Sequence, residues 1–506
     1  MSRPLLVSNL FVCGLGTIAT EVAAFRLLAP YFGSTQFITT NVLGVVLACL
    51  AIGYWAGGKL ADRRPTATAL YALTLVAGVL LAALPLAATP ILKAASPALG
   101  REDASLFLGT LAAMVALFAL PLLLLGMVSP FTIRLLASGD ERAGRQSGFV
   151  FAVSTAGSLL GAYLPAFVGI PLLGTRRTIA AAAALVLASA IAGLLAERRR
   201  ASSAVAIALL ALPLSGAALG GPLKGGPGVL EERETEYHLV RVLRDERNKR
   251  TYLELNEGLS YHSVAFDDGR LPPGVWGFLQ LLPPMLRGTP AAGPPMRVCI
   301  VGLAAGTVAT HFQRAYGDAF DLHVDGVEID PVVVEMGRKH FHLEEKRLRV
   351  AIEDGRTFLA RHPDRYGLIV GDAYRQPYIP HHLVTAEFFA LARERLVPGG
   401  ICAVNAGALS VDSPVVRGIA NAMLTAFPSV ERFEVANFDV PFKNYVLLGA
   451  DRPLRERWAA IDSPELVPFR NAALATWTAL AKDPDAPTFT DDRAPVEWYT
   501  DLSLFR

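Results

Sequence analysis

Glycine and acidic residues that could hold a nucleoside follow buried-strand patterns in the second half of the chain. The apolar run 298–301 precedes Gly302-Leu-Ala-Ala-Gly306, a turn of small residues that opens a predicted helix. Small residues let the backbone approach a ligand closely, and the helix start offers free N–H groups. Glu328 follows 22 residues after Gly306, at the end of the next strand, where an acid binds ribose hydroxyls. Together these features predict nucleoside binding.

Two further acidic turns follow the next two predicted strands. Glu353-Asp354-Gly355 comes after the run 348–352, and an acid there can meet an adenine amino group. Asp372 follows the run 366–371, where a carboxylate can take a proton from an amine or hold a cationic group. Each motif has a simpler alternative, because tight turns need glycine and acids at strand ends often cap helices.

Alternating strand and helix patterns place these motifs. Predicted strands 298–301, 322–328, 348–352, 366–371 and 400–405 are separated by predicted helices 307–316, 332–340 and 385–396. Such alternation implies a parallel, doubly wound, Rossmann-like sheet. Ligands of such sheets bind beyond the carboxyl ends of the strands, which is where the four motifs fall.

The first part of the chain contains long apolar segments of the kind that cross membranes. Spanning a bilayer takes ~20 mostly apolar residues. Seven segments qualify: 5–27, 38–58, 68–91, 105–127, 148–172, 177–196 and 203–220. The sequence therefore predicts a polytopic α-helical bundle over 1–222, a small β-hairpin domain over 229–285 and the Rossmann-like domain over 296–506. Gly/Pro-rich breakers at 220–227 and 288–295 separate them.

Charge follows the same division. Residues 1–222 carry 15 Lys+Arg and 7 Asp+Glu, the remainder 32 and 38, and all nine histidines lie in the second part. Predicted loops on the N-terminal side of the bundle hold 10 basic residues against 4 opposite, which favours a cytoplasmic N-terminus. With seven spans the second part would then lie outside the cytoplasm, although adenosyl donors are made inside. The sequence predicts a multi-pass protein of the cell (inner) membrane. It leaves open on which side of the membrane the second part of the chain lies.

Two polar features interrupt the apolar segments. Glu21 and Arg26 lie within the first span, where a charge is either a functional group or a structural ion pair. The segment 53–64 resembles the loop between the second and third helices of major facilitator transporters. Its small residues favour close helix packing, and a transport-associated role stays open as an alternative.

The soluble-type motifs resemble the spermidine synthases, the polyamine aminopropyltransferases, and in particular a bacterial form fused to a membrane domain. The resemblance covers about 230–450. It rests on Glu234-Thr-Glu-Tyr237-His238, Tyr261-His262, the Gly302–Gly306 turn, Val327-Glu328-Ile-Asp330, Glu353-Asp354-Gly355 and Asp372, with the tail 490–497 typical of the fused form. It implies a sheet of the methyltransferase/spermidine synthase type.

The family transfers an aminopropyl group from decarboxylated S-adenosylmethionine to an amine. The resemblance implies that Glu328 holds the ribose, that Asp354 and Gly355 lie on the adenine side and that Asp372 is the base. It implies that Tyr237, Tyr261 and His262 line the amine channel. No metal is needed for a sulfonium leaving group, and the resemblance allows a homodimer.

Four positions depart from the family pattern. The usual acids are replaced by Ser263, Ala305 and Arg375, and a usual glutamine by His238. Because a dicationic diamine needs anionic surroundings, these changes predict an acceptor that is neutral or anionic. S-adenosylmethionine-dependent methyl transfer and a catalytically degenerate nucleoside sensor stay open as alternatives.

The remaining polar clusters receive structural interpretations. His381-His382 is interpreted as a surface loop rather than a metal pair, because adjacent side chains diverge. Asp491-Asp492 is interpreted as a cap or an interface rather than a cation site. A net charge of +2 gives no reason to expect nucleic acid.

Overall fold

The structure is a computed structural model. It describes residues 2–33, 36–96, 104–136, 143–197, 221–258, 260–374, 378–435 and 442–504. The chain forms two compact units. The helical unit comprises Met1–Pro227 and Glu232–Leu239, and the sheet unit comprises Gly228–Glu231 and Val240–Arg506.

Long apolar helices build the helical unit. Its helices are α1 Arg3–Phe32, α2 Gln36–Arg63, α3 Ala67–Ala95, α4 Ala104–Met114, α5 Leu120–Gly126, α6 Val128–Leu136, α7 Ala143–Leu164, α8 Ile170–Leu173 and α9 Thr175–Ala196. A π-helical turn, Val115–Ala119, joins α4 to α5, and another, Pro165–Gly169, joins α7 to α8.

Within the described residues, six helical stretches are long and apolar enough to cross a membrane. They match the first six predicted spans. The seventh predicted span, 203–220, lies outside the described residues. The helical unit therefore has the composition of a membrane domain, and the predicted fold class is confirmed.

Glycines let helices of this unit approach at backbone distance. A Cβ added to Gly157 would lie 2.0 Å from the carbonyl oxygen of Phe11, and one on Gly161 would lie 2.3 Å from that of Leu15. Since α1 carries Phe11 and Leu15, the α1–α7 interface excludes any larger side chain at these glycines.

The segment 53–64 also packs closely. A Cβ on Gly53 would lie 2.4 Å from the carbonyl oxygen of Leu123, and Asp62 accepts a hydrogen bond from Arg134 Nε at 3.1 Å. These contacts give the motif a packing role between α2, α5 and α6.

The residues that follow the bundle pack on one end of it. Asn9 bonds both Thr74 and Ser189, so the start of α1 lies beside the start of α3 and the end of α9. The opposite end of α1 carries Tyr31, whose hydroxyl donates to the carbonyl oxygen of Leu223 at 3.1 Å. Leu223 therefore lies at the end of the bundle remote from the N-terminus.

Two charged side chains strengthen that attachment. Arg26 Nη2 donates to the carbonyl oxygen of Glu236 at 2.6 Å, and the Glu234 carboxylate accepts from the backbone N–H of Thr175 at 3.0 Å. Arg26 thus has a structural contact within the helical unit. Glu21, by contrast, is half-buried on α1.

Twelve strands form two sheets among the described residues. They are β1 Val229–Glu234, β2 Leu239–Asp245, β3 Arg250–Leu255, β4 Tyr261–Phe266, β5 Arg297–Val301, β6 His323–Glu328, β7 Leu348–Ile352, β8 Tyr366–Gly371, β9 Leu396–Ala408, β10 Ser429–Val435, β11 Lys443–Ala450 and β12 Thr478–Leu480. The first four pair in chain order. The sequence analysis predicted a small β-hairpin domain here, and the structure has the hairpin of β2 and β3 flanked by β1 and β4.

The larger sheet has the order β12-β10-β11-β9-β8-β5-β6-β7. Strands β9, β8, β5, β6 and β7 run parallel, and β10, β11 and β12 add an antiparallel edge. This is the Rossmann-like order of the methyltransferase/spermidine synthase type. The five parallel strands coincide with the five predicted ones, whereas the antiparallel edge was not predicted.

Helices cover both faces of this sheet. They are α10 Val275–Leu279, α11 Thr307–Tyr316, α12 Pro331–His340, α13 Gly355–Arg361, α14 Ala386–Glu394, α15 Pro414–Ala426, α16 Val467–Thr476 and α17 Val496–Leu504. Alternate residues of a strand enter different cores, as when Val298 packs with Phe312 of α11 while Cys299 packs with Phe358 of α13. Burial on both faces explains the continuous apolar runs that predicted these strands.

Candidate active site

The glycine turn and the Asp372 loop meet at the centre of the sheet. They follow β5 and β8, which are neighbours, and the strand order reverses there. Gly302 has φ +94°, and a Cβ added to it would lie 2.6 Å from Ala373 Cα and from the carbonyl oxygen of Asp372. Only glycine fits, so the two loops touch at the point where open sheets of this kind have their ligand crevice.

Glu328 fixes the shape of the turn. Ala304 has the unusual φ of +50°, and its N–H donates to Glu328 Oε2 at 2.9 Å. The other carboxylate oxygen accepts from the N–H groups of Ile329 at 2.9 Å and Asp330 at 3.2 Å. The strained alanine is thus held by the carboxylate predicted to bind ribose, which is half-buried at the carboxyl edge of the sheet.

Asp354 stands at the end of β7, on the other side of Glu328. Its Oδ1 accepts from Thr357 N at 2.9 Å, which makes it the N-cap of α13. Its Oδ2 lies 2.8 Å from His382 Nε2. The hydrogen bond with His382 is the main reason why the pKa of Asp354 falls to about 2. A Cβ on Gly355 would lie 2.2 Å from Val301 Cγ1, so glycine is needed for the helix to pack on β5.

Asp372 has a different environment. Its side chain is half-buried, and Asn405 Nδ2 donates to its Oδ1 at 2.8 Å. Desolvation by the surrounding protein raises the pKa of Asp372 to about 7, against the lowering effect of Asn405. A carboxyl group with this pKa exchanges a proton readily near neutral pH, as a general base must.

Two asparagines are hydrogen-bonded in series to Asp372. Asn405 Oδ1 accepts from Asn444 Nδ2 at 2.9 Å, which directs the Asn405 amide N–H towards the carboxylate. The carbonyl oxygen of Asn405 also accepts from the Tyr374 hydroxyl at 2.9 Å. The sequence analysis missed these partners. A polar residue inside the buried pattern of β9 was the available signal for Asn405.

Two of the residues that stand where the family usually has acids contact each other. The Ser263 hydroxyl accepts from Ala305 N at 3.0 Å, and both residues are buried. Next to them, Thr307 Oγ1 accepts from Val264 N at 3.0 Å and donates to its carbonyl oxygen at 3.1 Å. Strand β4 is thus bonded directly to the glycine turn, and neutral groups fill the place where the resemblance leads one to expect carboxylates.

The predicted amine-channel residues have separate positions. Tyr261 begins β4, and its ring packs on Tyr252 at a centroid distance of 4.3 Å, with the Arg250 guanidinium 5.3 Å from its centroid. His262 follows it at a shift of register between β3 and β4, where Leu253 pairs with Ser263 and Glu254 with Tyr261. Tyr237 belongs to the helical unit. Their role in binding an amine stays a prediction, and Arg375 lies outside the described residues.

The histidine and tail motifs contact other parts of the sheet unit. His381 is exposed, and His382, with 38% of its side chain accessible, bonds Asp354. Asp491 forms a two-pronged ion pair with Arg356, with both N–O distances 2.6 Å. In the part of the chain that the structure describes, no three His, Cys, Asp or Glu side chains are grouped to hold a metal.

Comparison with known proteins gives consistent matches. Residues 311–442 match the family model described as the spermine/spermidine synthase domain. A probable polyamine aminopropyl transferase from Bifidobacterium longum is 27% identical over 286 residues, which are 53% of this chain and 61% of that protein. A polyamine aminopropyltransferase from Vibrio vulnificus is 33% identical over 115 residues, 22% of this chain and 38% of that one.

The chain thus spans about three-fifths or less of these relatives' lengths. A solved structure, a probable spermidine synthase from Corynebacterium glutamicum, aligns with 18% identity and a TM-score of 0.42 over 52% of this chain and 96% of that one. The sheet unit itself has the order and crevice of a Rossmann-like domain of the methyltransferase/spermidine synthase class. The chain is similar to the spermine/spermidine synthase domain over residues 311–442, and its helical unit has the composition of a membrane domain.

Proposed function

We propose that the sheet unit transfers an aminopropyl group from decarboxylated S-adenosylmethionine to an amine acceptor, in a multi-pass protein of the cell (inner) membrane. The observation that carries this proposal is Asp372: a carboxyl group with a pKa of about 7, next to a glycine turn at the strand-order reversal. The proposed partners are a lipid bilayer for the helical unit and a small-molecule amine for the sheet unit.

The residues of the crevice fit such a donor. The small residues of the Gly302–Gly306 turn suit close approach of a nucleoside, and Glu328 and Asp354 supply acceptors for ribose hydroxyls and an adenine amino group. The sulfonium of the donor supplies the leaving group. The amine nitrogen forms a bond to the propyl carbon, the C–S bond breaks with its electrons going to sulfur, and Asp372 takes the proton from nitrogen.

The acceptor half of the crevice favours an amine that is not a dication. Ser263 and Ala305 stand where the family usually has acids, and the Ser263 hydroxyl bonds the Ala305 N–H. Neither position therefore offers a carboxylate to a second ammonium group. We therefore propose a neutral or anionic amine as acceptor. Turnover of putrescine as fast as that of neutral amines or amino acids would contradict this part of the proposal.

Binding of methylthioadenosine tests the donor half. Because hydrogen bonds to a carboxylate contribute ~1.5–3 kcal/mol each, Glu328→Gln should weaken binding about 10- to 100-fold. Glu344→Ala, at an exposed acid just beyond α12, is the matched control and should bind like the wild type. Equal affinity of Glu328→Gln and wild type would exclude the proposed ribose contact.

Two alternatives predict other outcomes. With S-adenosylmethionine as donor, a methyltransferase would add a methyl group to the acceptor, which mass analysis separates from an aminopropyl gain. A nucleoside sensor would bind methylthioadenosine without turning over any amine. The raised pKa of Asp372 favours a catalytic role over the sensor, because pKa values matched to proton transfer concentrate at active sites.

A further inference from the structure

A residue of the C-terminal tail is bonded to the adenine side of the crevice. Asp491 lies between Thr490 and Arg493, which form an isolated β-bridge before α17. Its two carboxylate oxygens accept from Arg356 Nη1 and Nη2, both at 2.6 Å, and Oδ1 also accepts from Thr385 Oγ1 at 2.8 Å. Asp491 therefore fixes the guanidinium of a residue 135 positions earlier in the chain.

Arg356 transmits this constraint to the histidine loop. It is the second residue of α13, and its Nη1 also donates to the carbonyl oxygen of His382 at 3.2 Å. His382 Nε2 lies 2.8 Å from Asp354 Oδ2. Because the pKa of Asp354 is about 2, the carboxylate is the acceptor of this bond and the imidazole N–H is the donor.

This chain of contacts determines which way the Asp354 carboxylate faces. Oδ1 is directed towards Thr357 N by the helix cap, and Oδ2 is directed towards His382. A carboxylate has about four acceptor directions, and the Thr357 N–H, the Thr357 hydroxyl and His382 use three of them, which leaves one for a ligand. Without His382 in place, the carboxylate could rotate about its cap bond and lose the orientation that a planar amino group requires.

We propose that Asp491 is a positioning residue for nucleoside recognition, which acts through Arg356 and His382 to orient Asp354 towards the amino group of a 6-aminopurine. This inference rests on the proposed function, because it assigns the adenine side of the same crevice. It gives the tail a role in substrate discrimination that is distinct from any contribution to stability. The pair itself is partly exposed, with 26% of the Arg356 and 42% of the Asp491 side chain accessible, so its contribution to stability alone should be small.

The chain offers two matched pairs of variants. Asp492 is the exposed neighbour of Asp491, and the described structure shows no hydrogen bond or ion pair for its side chain. His381 is the exposed neighbour of His382. Asp491→Asn is therefore compared with Asp492→Asn, and His382→Gln with His381→Gln, in the full chain purified in detergent.

The experiment measures the affinities of methylthioadenosine and of its 6-oxo analogue, methylthioinosine. The wild type should prefer the 6-amino compound, and Asp491→Asn should weaken its binding about tenfold while leaving the 6-oxo analogue nearly unchanged. His382→Gln should behave in the same way. The controls Asp492→Asn and His381→Gln should keep the wild-type preference for the 6-amino compound. Asp491→Glu retains the charge and should therefore keep part of that preference.

Turnover supplies a second readout. In Asp491→Asn the KM for the donor should rise about tenfold while kcat at saturating donor stays unchanged, since Asp372 is untouched. An unchanged preference for the 6-amino compound in Asp491→Asn, or equal weakening of both nucleosides, would overturn the inference and leave the proposed function standing. Failure of the wild type to bind either nucleoside would overturn both.

Discussion

Acidic side chains stand at both edges of the parallel sheet, and their partners differ. At the amino-terminal edge, buried Asp325 accepts from Arg349 at 2.9 Å through both oxygens, from Arg297 at 3.2 Å and from the Tyr366 hydroxyl at 2.8 Å. Burial alone would raise the pKa of Asp364 beside it, but hydrogen bonds from both arginines outweigh burial and lower that pKa. Arg297 and Arg349 thus each bond both Asp325 and Asp364.

At the carboxyl edge the partners are mostly neutral. Glu328 bonds backbone N–H groups, Asp354 a backbone N–H and an imidazole, and Asp372 an amide. The pKa of Asp354 falls to about 2 while that of Asp372 rises to about 7, so the same edge of the sheet carries a charged acceptor and a titrating base. Arginine pairing therefore indicates structural acids in Asp325 and Asp364, whereas Asp372, which accepts from a neutral amide, is suited to exchange a proton.

The largest effect is expected for Asp372→Asn. The amide cannot accept a proton, so kcat should fall about 10³-fold, in the range lost when a general base is removed. Single-turnover rates with saturating donor measure this. Methylthioadenosine affinity is the control, and it should stay within about threefold of wild type because Asp372 lies on the acceptor side.

Removing the charge at the opposite edge should destabilise the fold instead. Asp325→Asn leaves Arg349 and Arg297 with a neutral partner, which should lower the free energy of unfolding by about 3 kcal/mol. Denaturant unfolding of the full chain in detergent measures the change. A variant that retained wild-type stability and lost activity would reverse the proposed division between the two edges.

The same substitution at the carboxyl edge should act in the opposite direction. The pKa of Asp372 in the folded protein, about 7, lies above its ordinary value, so its contribution to stability falls as pH rises through 7. At pH ~8 the folded state holds a poorly solvated charge. Asp372→Asn should then stabilise the protein by about 1–2 kcal/mol, after discounting for residual solvent, with about half of that gain or less at pH ~5, where the unfolded carboxyl is still mostly ionised. Thermal unfolding at the two pH values tests this.

The smallest effect concerns the amide behind the base. Since deprotonated Asp372 is the active form, kcat/KM should rise with pH and level off above about 7. Asn405→Leu removes a donor that favours the ionised carboxylate, so the midpoint should shift upwards by about half to one pH unit. A downward shift would show that Asn405 does not stabilise the charged form.

Sequence patterns located the acids but not their partners. Glu328, Asp354 and Asp372 each end a buried apolar run, and the period of the pattern alone places them on one edge of a sheet. Asn405 reaches Asp372 across 33 residues and Asp491 reaches Arg356 across 135, so only the folded sheet brings them together. The strands β10 and β11 follow each other in the chain and pair antiparallel, a pattern that helix-and-strand alternation, the signal that was used, does not indicate.

The spans were predictable for another reason. Every backbone group in a bilayer must be bonded internally, so a spanning helix needs a long apolar run that is visible in the sequence. The glycines that bring α1 and α7 together were not assigned a partner, because small residues indicate close approach without saying to which helix. Only the structure pairs Gly157 with Phe11.

The attachment of Leu223 to Tyr31 has a consequence for the path of the chain. Arg3 begins α1 and Leu223 lies beyond the other end of that helix, which is about 45 Å long for its 30 residues. If a bilayer surrounds the six apolar stretches, these two points meet different aqueous compartments. A membrane-impermeant reagent added to sealed vesicles should therefore modify a cysteine introduced at Ser2 or one introduced at Lys224, but not both.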